Sequence, residues 1–121
     1  MPNPVLHFEI MGKDAAATQA FYRELFDWNV DAANPMNYGV VTAQEDKGIG
    51  GGVGANPQGA TYVTVYLAVA DLQATLDKAE ALGGTTVMPP TEIPGVVTMA
   101  MFNDPDGNLI GIIKDGMGDP A

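Results

Sequence analysis

The chain has no cysteine, one histidine, one tryptophan and only five basic residues in 121. Without cysteine there are no disulfides and no thiolate chemistry. The five cations (Lys13, Arg23, Lys47, Lys78 and Lys114) are scattered and face 15 acidic side chains, giving a net charge of −10. A nucleic-acid backbone is gripped by clustered Lys and Arg, so nucleic acid is not an expected partner. No apolar run approaches the ~18 residues of a membrane span. The opening M-P-N-P-V-L-H-F enters a strand pattern with no basic stretch before it, so a cytoplasmic location without a signal peptide is expected. The acidity favours cationic small molecules over anionic ones through the long-range field, although solubility alone is the plainer reason for an acidic chain.

The chain does contain enough apolar residues, 46%, for one compact domain. Val5–Ile10 alternates, with Leu6, Phe8 and Ile10 on one face and Val5, His7 and Glu9 on the other. Asp14 caps an expected helix over Ala15–Phe26, with Ala17, Phe21 and Leu25 as its core stripe. Short strands follow at Trp28–Val30, Asn37–Thr42 and Ile49–Val53. A linker, 55–60, precedes the second half, which opens with the strand Tyr62–Val69. Asp71 caps a second helix carrying Leu72, Leu76, Ala79 and Leu82, which Gly83-Gly84 ends. Thr85–Met88 is strand-like, Pro89-Pro90 opens a loop, and Val96–Phe102 pairs with Leu109–Ile113 across the turn D-P-D-G-N. Residues 116–121 read as a loose tail.

The order strand, capped helix, three strands therefore occurs twice, in modules 5–54 and 61–113. Aligning Asp14 with Asp71 sets His7 beside Thr64 and Glu9 beside Tyr66. Gly48–Gly54 invites a phosphate-loop reading, but a proline-containing linker follows it, and the dinucleotide fingerprint needs a helix there. Glycines within a strand mark a close approach or space left for something else. Met88, Met99 and Met101 read as core filling, and Trp28 as packing beneath the first helix.

The duplicated βαβββ unit resembles the vicinal oxygen chelate superfamily of glyoxalases, bleomycin-resistance proteins and ring-cleaving dioxygenases. The residues carrying the likeness are H-F-E-I, Asp14 and A-F-Y-R-E-L-F-D-W in the first half. In the second half they are Y-L-A-V-A-D-L, E-A-L-G-G and D-P-D-G-N. The resemblance implies an α+β fold in which two modules form a cup-shaped curved sheet with helices outside. It also implies that chains pair as homodimers.

In metal-dependent members, four inward side chains hold one divalent ion, His on first strands and Glu on last strands. Carried over, those positions are His7, Thr64, Gly111 and Gly51, the last by setting I-G-G-G-V beside L-I-G-I-I. A hydroxyl is a poor ligand and glycine offers none, so no metal or other cofactor is expected. The expected ligand pocket comprises His7, Glu9, Gly51, Tyr62, Thr64, Tyr66 and Gly111, with Gly51 and Gly111 leaving room for a ligand ring. The favoured expectation is a metal-free cup that binds an aromatic or cationic small molecule. The alternative is an enzyme of the same fold, a lyase, isomerase or dioxygenase. It works either through non-standard metal ligands such as Glu9 or Glu92, or without metal, with His7 as base, Glu9 orienting it and Tyr66 as acid.

Overall fold

The protein is described from a computed structural model covering residues 2–44, 47–56, 58–95 and 97–114. The expected tail, 116–121, lies outside these residues. The elements run β1 (Val5–Gly12), α1 (Ala15–Phe26), β2 (Val30–Asp31), β3 (Gly39–Val41), β4 (Gly51–Ala55), β5 (Tyr62–Val69), α2 (Leu72–Ala81), β6 (Thr85–Ile93), β7 (Val97–Asn103) and β8 (Leu109–Lys114). The fold is thus α+β and built from two βαβββ modules, as the sequence pattern implies. Among the described residues, no helix is long and apolar enough to cross a membrane.

Contacts group the chain into two compact units. One is His7–Thr64, and the other joins the first residues, through Leu6, to Val65 onward. In the first, the strand order is β2-β3-β4-β1, with β1 parallel to β4 and the other pairs antiparallel. In the second, the order is β5-β8-β7-β6, with β5 parallel to β8 and the rest antiparallel. The start of the chain is tied to β5 within that unit. Asn3 Nδ2 donates to the Ala68 carbonyl at 3.0 Å, and Ala68 N donates to the Pro4 carbonyl at 3.1 Å.

Both helices begin where an aspartate can satisfy a free backbone N–H. Asp14 accepts from Ala17 N at 3.1 Å and Asp71 accepts from Ala74 N at 2.9 Å. The core under α2 is Val69, Leu72, Leu76, Ala100 and Ile112. Burying a side chain as completely as Leu76, 1% exposed, contributes about 1.5–3 kcal/mol. The core under α1 is Val30, Val41 and Val53, with Phe8, Ile10, Tyr22 and Trp28 packed against it. Trp28 lies against Tyr22, Phe26 and Phe8 at centroid distances of 5.4, 5.5 and 5.3 Å.

Three expectations are corrected. The stripe Ala17–Phe21–Leu25 is not the buried face of α1, since Phe21 and Leu25 are each 57% exposed. Gln19, 3% exposed, turns inward instead and donates to the Asn37 and Val53 carbonyls at 2.9 and 2.8 Å. Leu82 likewise falls outside the buried stripe of α2. Pro89-Pro90 does not open a loop, because β6 continues through both prolines to Ile93. That strand is at the sheet's end in its unit, where a missing donor is tolerated, and its register with β7 shifts between Met88 and Thr91.

The turn joining β7 to β8 is held by one side chain. Asp104 Oδ1 accepts from Asp106 N and Asn108 N, and Oδ2 accepts from Asn108 Nδ2, each at 2.9 Å. These bonds, led by the Asn108 side chain, hold the Asp104 carboxyl below its usual range. Gly107 takes φ +93°, as the turn requires.

Candidate ligand-binding cluster

The alternation of β1 sends Phe8 and Ile10 into the α1 core and puts His7 and Glu9 on the other face. Glu9 is 8% exposed, an uncommon place for a carboxylate and costly unless donors surround it. Two tyrosine hydroxyls supply them. Tyr38 donates to Oε2 and Tyr62 to Oε1, both at 2.9 Å. Hydrogen bonds to an ionised acceptor are roughly twice as strong as neutral ones. The Tyr38 hydroxyl also lies 2.8 Å from His7 Nε2. His7, Glu9, Tyr38 and Tyr62 therefore form one connected polar cluster within the unit His7–Thr64. Burial first, and then the charge and hydrogen bond of Glu9, push the Tyr62 hydroxyl's ionisation far above its ordinary value.

Tyr38 is placed by the turn before it. Asn34 Oδ1 accepts from Tyr38 N at 2.9 Å, Asn34 Nδ2 donates to the Tyr38 carbonyl at 2.6 Å, and Asn37 takes φ +53°. The ring then lies across bare backbone. A Cβ on Gly52 would stand 1.8 Å from the Tyr38 hydroxyl oxygen. Gly52 pairs with Glu9 across β1 and β4, so any side chain there would displace the ring that bonds Glu9.

The sequence-derived site is partly brought together and partly redrawn. His7, Glu9 and Tyr62 meet, and Thr64 is buried in the same unit. Tyr66 belongs to the other unit, where it pairs with Gly111. The final-strand position on the Glu9 face is Gly52 and not Gly51, because Gly51 pairs with Phe8 on the opposite face. Neither Gly51 nor Gly111 leaves room for a ligand ring at its Cβ position. A Cβ there would meet the Phe8 ring at 2.4 Å and the Tyr66 ring at 2.3 Å. Glu92 lies exposed on β6, opposite Thr98.

Tyr38 carried no role in the sequence reading. The signal for it was the alternation Gly50, Gly52, Gly54, a strip of one strand face with no side chains that a neighbouring ring has to cover.

A divalent ion of the kind held by vicinal oxygen chelate enzymes needs three or four donors. Here His7 Nε2 is engaged by Tyr38, both Glu9 oxygens accept tyrosine hydrogens, and both last-strand positions, Gly52 and Gly111, are glycine. Among the described residues no three His, Cys, Asp or Glu lie close enough to hold an ion. The donor set does not fit the metal.

A family model described as Glyoxalase/Bleomycin resistance protein/Dioxygenase superfamily matches residues 5–112. An anthracycline biosynthesis protein, DauV, of Streptomyces sp. (strain C5) is 27% identical over 96% of this chain and 48% of its own length. The chain thus spans about half the length of that relative. Among solved structures, a superfamily member from Vibrio splendidus 12B01 superposes with TM-score 0.63 at 17% identity, covering 94% of this chain and 100% of that one. Methylmalonyl-CoA epimerase from Mycobacterium tuberculosis superposes with TM-score 0.56 at 12% identity, covering 91% and 86%. At these identities the structural likeness speaks to fold alone.

Proposed function

Because the chain belongs to the glyoxalase/bleomycin resistance protein/dioxygenase superfamily, we propose that it binds an aromatic or cationic small molecule, without a divalent metal, at the Glu9–Tyr38–Tyr62–His7 cluster. The observation that carries this reading is the buried Glu9 carboxylate held between two tyrosine hydroxyls. Hydroxyl donors leave the negative charge of a carboxylate in place, and that charge favours a cationic ligand. Tyrosine faces attract cations as well, by about 0.5–2 kcal/mol depending on desolvation. The net charge of −10 draws cations toward the protein before contact. The same reading takes the working protein as a cytoplasmic pair of identical chains that contacts neither nucleic acid nor membrane.

The test is thermal denaturation of the purified chain with benzyltrimethylammonium, with benzoate and with an anthracycline, each with and without zinc. The anthracycline is included because the Streptomyces relative is named for anthracycline biosynthesis. A ligand at 100 times its Kd adds about 2.7 kcal/mol to the native state. The aromatic cation is expected to raise Tm without zinc, benzoate to leave it unchanged, and Glu9→Gln to erase the effect. Stabilisation that requires zinc, or none with either the cation or the anthracycline, refutes the reading.

A further inference from the structure

Helix α1 packs on the Phe8 and Ile10 side of β1, opposite Glu9, and its outer surface is apolar. Phe21, Leu25 and Phe26 are 57%, 57% and 54% exposed. Tyr22 joins them into one face, its ring centroid 5.0 Å from that of Phe21 and 6.2 Å from that of Phe26, and Trp28 lies 5.5 Å from Phe26. At roughly 150–250 Å² for a large side chain, the three leave about 300 Å² open. A patch of that size on a monomer is often functional.

The rim of this face is acidic. Glu24, three residues after Phe21, flanks it on the helix surface, and Asp27 follows Phe26 at the C-cap. Both are exposed. A helix C-terminus already carries partial negative charge and attracts cations. The base in the last turn, Arg23, turns its guanidinium to the Val30 carbonyl at 2.8 Å. Between Ala15 and Gln44 it is the only base in the sequence, against Glu24, Asp27 and Asp31.

We propose that this face docks a cationic amphipathic helix, a segment of a partner protein with an apolar stripe flanked by Lys or Arg. The aromatic face takes the stripe, while Glu24, Asp27 and the helix end take the cations. A second copy of this chain fits worse on two counts. It brings another net charge of −10 to an acidic rim. The patch is also far short of the ~800 Å² per partner that a stable pair of globular chains buries. Any pairing of identical chains therefore uses another surface. The acidic rim repels anionic lipid as well.

Trp28 is the chain's one tryptophan and reports on this face through its contact with Phe26. The probe is a dye-labelled helical peptide of leucine and lysine, added to the purified chain and followed by anisotropy and by Trp28 emission. Binding with a blue shift of that emission is expected. At ~1 M salt, where the Debye length is ~3 Å, Kd should rise several-fold. Phe21→Ser combined with Leu25→Ser should weaken binding about tenfold or more, and Glu24→Lys several-fold. Val63→Ser, at a position 69% exposed and on β5, should change nothing. Should the double variant lose its native circular dichroism, Glu24→Lys decides alone. Absence of binding, an unmoved Trp28, undiminished affinity in the variants, or equal binding of a leucine–glutamate peptide overturns the proposal. So does a dimer that the double variant dissociates, which makes the occupant a second copy, or a Trp28 shift with phosphatidylcholine vesicles, which makes it a lipid surface.

Discussion

Gly52→Ala adds one methyl group at the centre of the cluster without removing any of its polar atoms. Gly52 has no left-handed φ, so the backbone accepts alanine. The new Cβ would stand 1.8 Å from the Tyr38 hydroxyl oxygen and 1.9 Å from Cζ. Ordinary contact is ~3.5 Å, so the ring has to retreat by roughly 1.5 Å or more. That retreat takes the 2.9 Å bond to Glu9 and the 2.8 Å contact with His7 out of hydrogen-bonding range. Leaving a buried carboxylate short of a donor costs about 1–3 kcal/mol, and crowding a packed site about 1–3 more. We expect a total of about 2–6 kcal/mol, a large share of the ~5–15 kcal/mol that holds a domain together. With a urea dependence of about 2 kcal/mol per molar, the unfolding midpoint falls by roughly 1–3 M. Gly54→Ala is the control, because its Cβ would meet Tyr38 Cδ1 at 3.3 Å and Met11 Sδ at 3.5 Å, distances that small shifts relieve. It should cost less than about 1 kcal/mol. If Gly52→Ala shifts stability by less than about 0.5 kcal/mol and leaves the His7 ring signals unmoved, the placement of Tyr38 is wrong.

Other perturbations test separate parts of the account. Tyr62 keeps its proton in the folded protein to well above the ordinary tyrosine pKa of about 10, whereas the unfolded chain releases it there. Stability should therefore be full below about pH 10 and decline above it, and Tyr62→Phe should flatten that alkaline decline in denaturation curves. Asp104 is shifted the other way, so its contribution is present above about pH 4 and lost as pH falls further. Asp104→Ala should lower the melting temperature at neutral pH and weaken its acid dependence. Gln19→Leu strands the buried Val53 carbonyl and removes the donor to the partly buried Asn37 carbonyl, so about 1–3 kcal/mol should be lost in urea titrations. The His7 signals should broaden with it, since Asn37 immediately precedes Tyr38.

The parts of the fold legible in sequence were those set by local chemistry. Asp14 and Asp71 announce helices because a side chain three residues before an N–H can cap it, and both do so. Alternation in β1 put His7 and Glu9 on one face, and they share one cluster. What failed depends on contacts distant in sequence. Hydrophobicity placed Phe21 and Leu25 inward, but the carbonyls of Asn37 and Val53 draw Gln19 there instead. Aligning the caps pairs the first strands of the halves, whereas the last strands take their register from sheet pairing. Glu9 is matched by Gly52 and Tyr66 by Gly111, which moves the first-half position from Gly51 to Gly52. The role of Tyr38 arises from the strand it leans across, so its signal lies away from it in sequence, in the alternating glycines at 50, 52 and 54.

The central claim is that the cluster serves an organic ligand and has no place for an ion. The most direct measurement is the melting temperature of chelator-stripped protein titrated with zinc, nickel and manganese in turn, with His7→Ala alongside. The account predicts curves that superpose on the metal-free one for both proteins. A rise of several degrees in the wild type that vanishes in His7→Ala, the signature of an ion bound through that imidazole, would contradict it.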